Sequence, residues 1–250
     1  MTFRILRFLC LGAAIVSTPA LAESDSLEGL TVAVDVGHSK ARPGAISARG
    51  RPEFAFNLDT ARVIDEILER AGATCLIINE TGTLTGLAER PQRAARLGAD
   101  VFLSIHYDSV NEKYKKTWTP PGQSKLQKYS DKFRGYSVFC SKKNPKAKES
   151  RAIALMVGDA MLKAGFQPTL HHAEKIPGEN RPLLNRKTGV YEFTDLVVVK
   201  AAALPSILLE CGVIIHRDEE LEVMKRSHQE RVGEAVLAAL IQARSEGILP

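Results

Sequence analysis

Two kinds of hydrophobic pattern alternate along this chain. Thr31 to Gly37 is a near-continuous apolar run closed by glycine, the pattern of a strand buried on both faces. After a Gly/Pro/Ser-containing loop, Pro52 opens a helix at its first position, where a missing N–H is tolerated. Phe54, Leu58, Ala61, Ile64 and Leu68 then recur at spacings of three and four and make one apolar face, which Gly72 ends. The alternation continues with a strand over Thr74–Asn79, a short helix over Leu87–Leu97 and a strand over Asp100–His106. A strand over Gly135–Cys140, a helix from about Lys146 to Ala164 and a strand over Ser206–Glu210 follow. One long terminal helix is expected from about Asp218 to Ala243, with Leu221, Met224, Val232, Val236 and Leu240 on its inner side. Strands alternating with helices predict an α/β layered domain around a largely parallel sheet.

Two stretches break this rhythm. Val110–Arg134 is polar and lysine-rich with a Pro120-Pro121-Gly122 interruption, and Phe166–Asn185 carries His171-His172, Pro177-Gly178 and Pro182. Irregular segments this long in a compact domain tend to be lids or binding loops. Lys113 to Lys148 holds eleven basic residues against the single acid Asp131, within a chain of net charge +5. Such a run can meet an anionic polymer, although a solvated loop is the ordinary reading. Tyr114, Trp118, Tyr129 and Phe133 interleave with these lysines. Aromatics of this kind can stack on bases or on sugar rings. The start of the chain argues for sugar and against nucleic acid.

That start reads as an export signal. Arg4 and Arg7 precede the short apolar run Phe8–Val16, and Ala20-Leu21-Ala22 supplies a small-x-small cleavage site. The run is well short of the about 20 apolar residues that span a bilayer, so no integral membrane span is expected. The expected division is a signal peptide over 1–22, a short leader over 23–29 and one catalytic domain over 30–250, exported to the periplasm or beyond. A composition of 44% apolar and 25% charged residues excludes wholesale disorder, fibrous repeats and a polytopic membrane protein. Cys75, Cys140 and Cys211 remain after processing, too few for a disulfide framework. Each lies in an apolar, strand-like run, as a buried thiol would.

In α/β sheets ligands gather at the carboxyl ends of strands. His38 follows the first strand, His106 ends the third, Glu210 ends the last, and Glu53 lies in the first turn of the first helix. Two imidazoles and one carboxylate make a catalytic zinc set with one position left open. Zinc would lower the pKa of a water and polarise a carbonyl, while a second carboxylate moves protons. Spacing alone leaves open which glutamate is ligand and which is shuttle; the helix-start position favours Glu53 as ligand. Singly these residues have plainer readings: a hydrogen-bonded strand-end histidine, or a carboxylate at the positive end of a helix dipole.

The ordered set of Val34-Asp35-Val36-Gly37-His38, Pro43-Gly44-Ala45, Glu53 with Asn57, Ser104-Ile105-His106-Tyr107-Asp108 and Leu204 to Gly212 resembles the zinc-dependent N-acetylmuramoyl-L-alanine amidases of bacterial cell walls. The resemblance runs from about Leu30 to Ile241. It implies an α/β sandwich with a mixed sheet flanked by helices. It also implies one Zn2+ per chain held by His38, Glu53 and His106, and Glu210 as catalytic acid/base. The reaction implied is hydrolysis of the amide joining the lactyl group of N-acetylmuramic acid to L-alanine in peptidoglycan; the chain is expected to act as a monomer. Where many members carry Gly-Gly-x-Asp-x-Gly, this chain has Ser39 to Gly44, and Val213 and His216 stand where Phe and Asn are common.

Certain relatives carry an inhibitory segment between the second histidine and the catalytic glutamate, released by an activator protein. Residues 110–134 or 166–185 could serve that role here, with Glu174 or Glu179 as blocking ligands. Asn57, Asp108, His171 and His172 are further candidates for substrate contact or gating. Three other classes compete. One is another zinc peptidase of peptidoglycan, and one is a non-catalytic wall-binding or activator protein. The third is a Cys/His hydrolase using Cys211, which strand alternation opposes, since Cys211 and Glu210 must point to opposite faces.

Overall fold

The computed structural model describes residues 26–250; the expected signal peptide and the first residues of the expected leader lie outside them. In chain order the elements are β1 (Thr31–Val36), α1 (Glu53–Arg70), β2 (Thr74–Ile78), α2 (Glu89–Arg96), β3 (Val101–Asp108), β4 (Lys116–Trp118), β5 (Gln127–Tyr129) and β6 (Ser137–Cys140). They continue with α3 (Ala147–Lys163), β7 (Leu183–Asn185), β8 (Val190–Glu192), α4 (Val197–Lys200), β9 (Ser206–Val213), α5 (Arg217–Val223) and α6 (Arg226–Ser245). A seven-stranded sheet in the order β2-β1-β3-β9-β6-β8-β7 forms the middle layer. Its first four strands run parallel, β6 pairs antiparallel with β9, and β7 antiparallel with β8, so the sheet is mixed and largely parallel as expected.

Period-2 alternation divides the strands between two cores. Val32, Val34, Leu103, Ile105, Leu209 and Cys211 pack on one face against α1, α3 and α6. Ala33, Phe102, Phe139, Tyr191 and Leu208 pack on the other face with Ala94 of α2 and Val198 and Val199 of α4. The first face of α1 is the one its periodicity foretold: Phe54, Ala61, Ile64 and Leu68 are buried and Leu58 packs beside them. The three cysteines are free thiols, Cys140 and Cys211 buried and Cys75 half-buried.

β1 leads through α1 to β2 on one side, and β2 leads through α2 to β3 on the other side of β1. α1 and α2 consequently lie on opposite faces, and a crevice opens at the carboxyl ends of β1 and β3. This is the switch point at which α/β sheets bind ligands.

The expected single terminal helix is instead two. Lys225 takes extended backbone (φ −72°, ψ 133°) between α5 and α6. The change of direction lets Val223 and Val232 both be buried. It turns Leu221 and Met224, expected inward, to solvent at 42% and 38% exposure. The end of the expected leader is tied down, with Leu27 buried and its N–H donated to the Ala71 carbonyl at 2.8 Å. Part of 110–134 is ordered as the β4–β5 hairpin, which is pinned where the Trp118 indole N–H donates to the Ala48 carbonyl at 2.8 Å. Among the described residues no helix is long and apolar enough to cross a membrane.

Candidate functional site

His38, Glu53 and His106 reach the crevice from three elements: the loop after β1, the first turn of α1 and the end of β3. Their ligand atoms lie within 4.8 Å of one another. The Glu53 carboxylate joins the two imidazoles, with Oε2 3.0 Å from His38 Nε2 and Oε1 3.0 Å from His106 Nδ1. Backbone N–H groups of Ala45 (2.9 Å) and Tyr107 (3.3 Å) donate to Glu53 as well. Burial works to raise the Glu53 carboxyl, but the hydrogen bonds and charges of His106 and His38 outweigh it and hold it at about 2. Burial lowers His106 despite its bond to Glu53.

The backbone is shaped to permit this approach. His38 sits at φ +67°, a conformation that costs a non-glycine residue free energy and is concentrated at functional sites. Asn79 at the end of β2 holds it there, its Nδ2 donating to the carbonyls of His38 (2.7 Å) and Val36 (3.0 Å). A Cβ on Gly37 would overlap the His106 ring, and one on Gly44 (φ +80°) would overlap the Glu53 carboxylate and the His38 ring. Asn57, one turn after Glu53 in α1, donates to the Gly37 carbonyl at 3.1 Å and to Glu53 Oε1 at 3.4 Å. It fixes the loop and the carboxylate together.

Glu210 lies on β9 in register with His106, so the two side chains share one face of the sheet. Burial, reinforced by the charges of Asp108 and Glu53, pushes its carboxyl well above the usual range. Glu210 Oε2 and His106 Nε2 are both buried without a hydrogen-bond partner among the described residues. Two buried polar atoms without partners mark a site that is unfinished as protein alone. The set of two imidazoles and one carboxylate, meeting through His38 Nε2, His106 Nδ1 and the Glu53 oxygens, suits a borderline divalent ion such as zinc. Cys211 falls on the opposite face among Leu209 and α6 residues, away from Glu210.

Sequence reasoning missed the supports of this site. Asp35 and Arg90 form a buried ion pair at 3.0 Å, and the Ser104 hydroxyl donates to the same Asp35 oxygen at 2.7 Å. The pair ties β1, α2 and β3 together behind the crevice. An acid inside an otherwise apolar strand was the available signal. Asn79 gave only the weaker signal of an amide at the end of the neighbouring strand.

The remaining candidates gather in a second cluster next to Glu210. Asp108, two residues beyond His106 on β3, has Oδ2 at 2.7 Å from His172 Nε2 and 3.2 Å from His171 Nε2. His172 Nδ1 meets Glu179 Oε2 at 2.9 Å, and Glu174 accepts from the Tyr114 hydroxyl at 2.8 Å. Burial opposes both charges, but Asp108 and Glu179 raise His172 to about 9, and the two histidines hold Asp108 well below the ordinary carboxylate range. The lysine-rich strip is also organised: Lys132 Nζ lies 3.7 Å above the Tyr114 ring, and the Arg217 guanidinium lies over Tyr129 at 4.1 Å and Trp118 at 5.1 Å.

Residues 32–242 match the family model described as N-acetylmuramoyl-L-alanine amidase. A probable cell wall amidase, LytH of Staphylococcus saprophyticus, is 25% identical over 216 residues, which cover 86% of this chain and 58% of the relative. The chain thus spans little more than half the length of that protein. Among solved structures, the amidase Ami1 of Mycobacterium smegmatis superposes with a TM-score of 0.67 at 18% identity, covering 88% of this chain and 99% of the other. The CwlD amidase of Clostridioides difficile, solved in complex with the GerS lipoprotein, gives 0.64 at 18% identity over 87% of this chain and 99% of the other. At these identities the structures speak to the fold.

Proposed function

Because the chain belongs to the N-acetylmuramoyl-L-alanine amidase family, we propose that it hydrolyses the amide between the lactyl group of N-acetylmuramic acid and L-alanine in peptidoglycan. In this reading His38, Glu53 and His106 hold one zinc ion, and Glu210 transfers protons. The observation that carries it is the convergence of His38, Glu53 and His106 within 4.8 Å of one another, with the buried and unpaired Oε2 of Glu210 on the neighbouring strand in register with His106.

The ion would supply Lewis-acid polarisation of the lactyl carbonyl and a water of lowered pKa. The protein's own groups do the rest. Glu53 holds both imidazoles at fixed separation, and Asn57 keeps the Glu53 carboxylate from turning away. Glu210 is kept from ionising alone by burial and by the carboxylates of Asp108 and Glu53. Held protonated in this way, it is a group that gives its proton to the departing amine. The cavity of about 520 Å3 lined by Tyr114, Tyr129, Lys113, Lys116, Lys132 and the Asp131–Arg217 pair offers lysine cations, Lys132 among them seated on the Tyr114 ring, for stem-peptide carboxylates. An exported, monomeric enzyme acting in the periplasm, with an activator protein as a further partner, completes the proposal.

The test is purified protein on peptidoglycan with mass analysis of the products, with and without chelator. Soluble stem peptides beginning in L-alanine, lost on chelation, are expected. Products cut within the peptide would place the enzyme among peptidases, and no products would leave a binding protein.

A further inference from the structure

We propose that Asp108, His171 and His172 form a second divalent-metal site of the zinc class, separate from the three ligands above. The inference does not depend on the reading of the first site. It rests on how the three side chains converge. His171 and His172 are consecutive residues of a single turn of 3-10 helix over His171–Ala173. Neighbours in such a turn project about 120° apart. Here both nevertheless bring Nε2 to the same oxygen, Asp108 Oδ2, at 3.2 and 2.7 Å, with ring centroids 4.0 Å apart.

Each ring is held from behind at its other nitrogen. His171 Nδ1 lies 2.8 Å from the Thr169 hydroxyl and His172 Nδ1 lies 2.9 Å from Glu179 Oε2. Anchoring Nδ1 at these outer oxygens turns Nε2 of each ring inward toward Asp108, which is how metal-bound histidines are oriented. His171 is buried, at 1% exposure, and its Nε2 makes no hydrogen bond of proper geometry to Asp108 or to anything else described. An imidazole nitrogen sealed in this way wants a partner.

The surroundings suit an ion as well. Phe133 stacks on His171 at 5.1 Å, and Phe139 meets His172 edge-on at 5.0 Å, so the site has apolar walls. Two nitrogens and one carboxylate oxygen favour zinc or a similar first-row ion over magnesium or calcium, which take oxygen shells. A cavity of about 200 Å3, lined by His172, Glu179, Arg181 and Glu210 among others, adjoins the cluster and leaves room for a fourth ligand. Binding exchanges the proton between His172 and Asp108 for the ion, and that proton leaves to solvent.

Metal stoichiometry decides the matter. The full chain is stripped with chelator, loaded with Zn2+ alone, dialysed, and its metal content measured by mass spectrometry. Wild type is expected to hold two equivalents. The His38→Ala/His106→Ala variant should hold one, and His171→Gln/His172→Gln should hold one. Asp108→Asn, nearly isosteric, repeats the second loss should the histidine variant fold poorly, as checked by circular dichroism. Co2+ loading should give two absorption components in wild type, one of which Asp108→Asn abolishes. A single equivalent in wild type that His38→Ala/His106→Ala removes overturns the proposal. So does a second equivalent that survives in both Asp108→Asn and His171→Gln/His172→Gln. Failure of the first site would instead appear as no change on His38→Ala/His106→Ala.

Discussion

Glu210 on β9 stands directly opposite His106 on β3, and each carries a buried polar atom that nothing described in the protein satisfies. Parallel neighbours in register point to the same side of a sheet, so strand pairing alone delivers the proposed proton-transferring carboxyl to the edge of the candidate ligand set. Glu210→Gln preserves shape and removes the proton chemistry. Turnover of peptidoglycan is expected to fall by about 10²–10⁴-fold, with the zinc content of the His38–Glu53–His106 site unchanged. Kinetics on purified sacculi and metal analysis check the two halves separately.

Asn57 is buried and steadies Glu53 and the Gly37 carbonyl. Groups that orient metal ligands from behind typically change affinity by about 10–100-fold when removed. Asn57→Ala is expected to weaken zinc binding within that range, read by competition with a chromophoric chelator. Activity at saturating zinc should largely recover.

The Asp35–Arg90 pair is buried at both ends, at 0% and 2% exposure. Removing one member strands the other charge in a region without solvent. Arg90→Ala is expected to cost about 3–5 kcal/mol of stability, measured by urea unfolding. A loss under about 1 kcal/mol would mean that the pair is not the tie between β1, α2 and β3 that its geometry indicates.

Stability of the metal-stripped protein should decline on both sides of neutrality. Glu53 is held at about 2, below its ordinary value near 4.5, so its contribution is full above 4.5 and is lost as pH falls towards 2. His172 is raised from near 6.5 to about 9, so its contribution is full below 6.5 and is lost as pH rises through 9. The alkaline loss is on the order of 3 kcal/mol. His172→Gln should flatten the alkaline limb and leave the acid limb in place, as thermal unfolding across pH will show.

Much of the fold could be read from periodicity, because β1, α1, β3, α3 and β9 are long enough to show a repeat of two or of three to four. The four ligand and proton-transfer candidates were legible for a related reason: each abuts the end of an element whose boundary the apolar pattern marks. The strands β4, β5, β7 and β8 are three residues each, too short for any period, and exist only because a partner strand lies beside them. The break at Lys225 left no proline or glycine to announce it; burial of Val223 against the sheet decided it.

The chain order therefore sufficed to put His38, Glu53, His106 and Glu210 at one rim, since strand direction and side-chain alternation are local properties. The pairing of Asp35 with Arg90, the clamp of Asn79 on His38, and the meeting of Asp108 with His171 and His172 lie 55, 41 and about 64 residues apart in sequence. No local pattern encodes contacts at such range. They follow from packing, where a buried charge or amide must find a partner once the sheet and helices have closed around it.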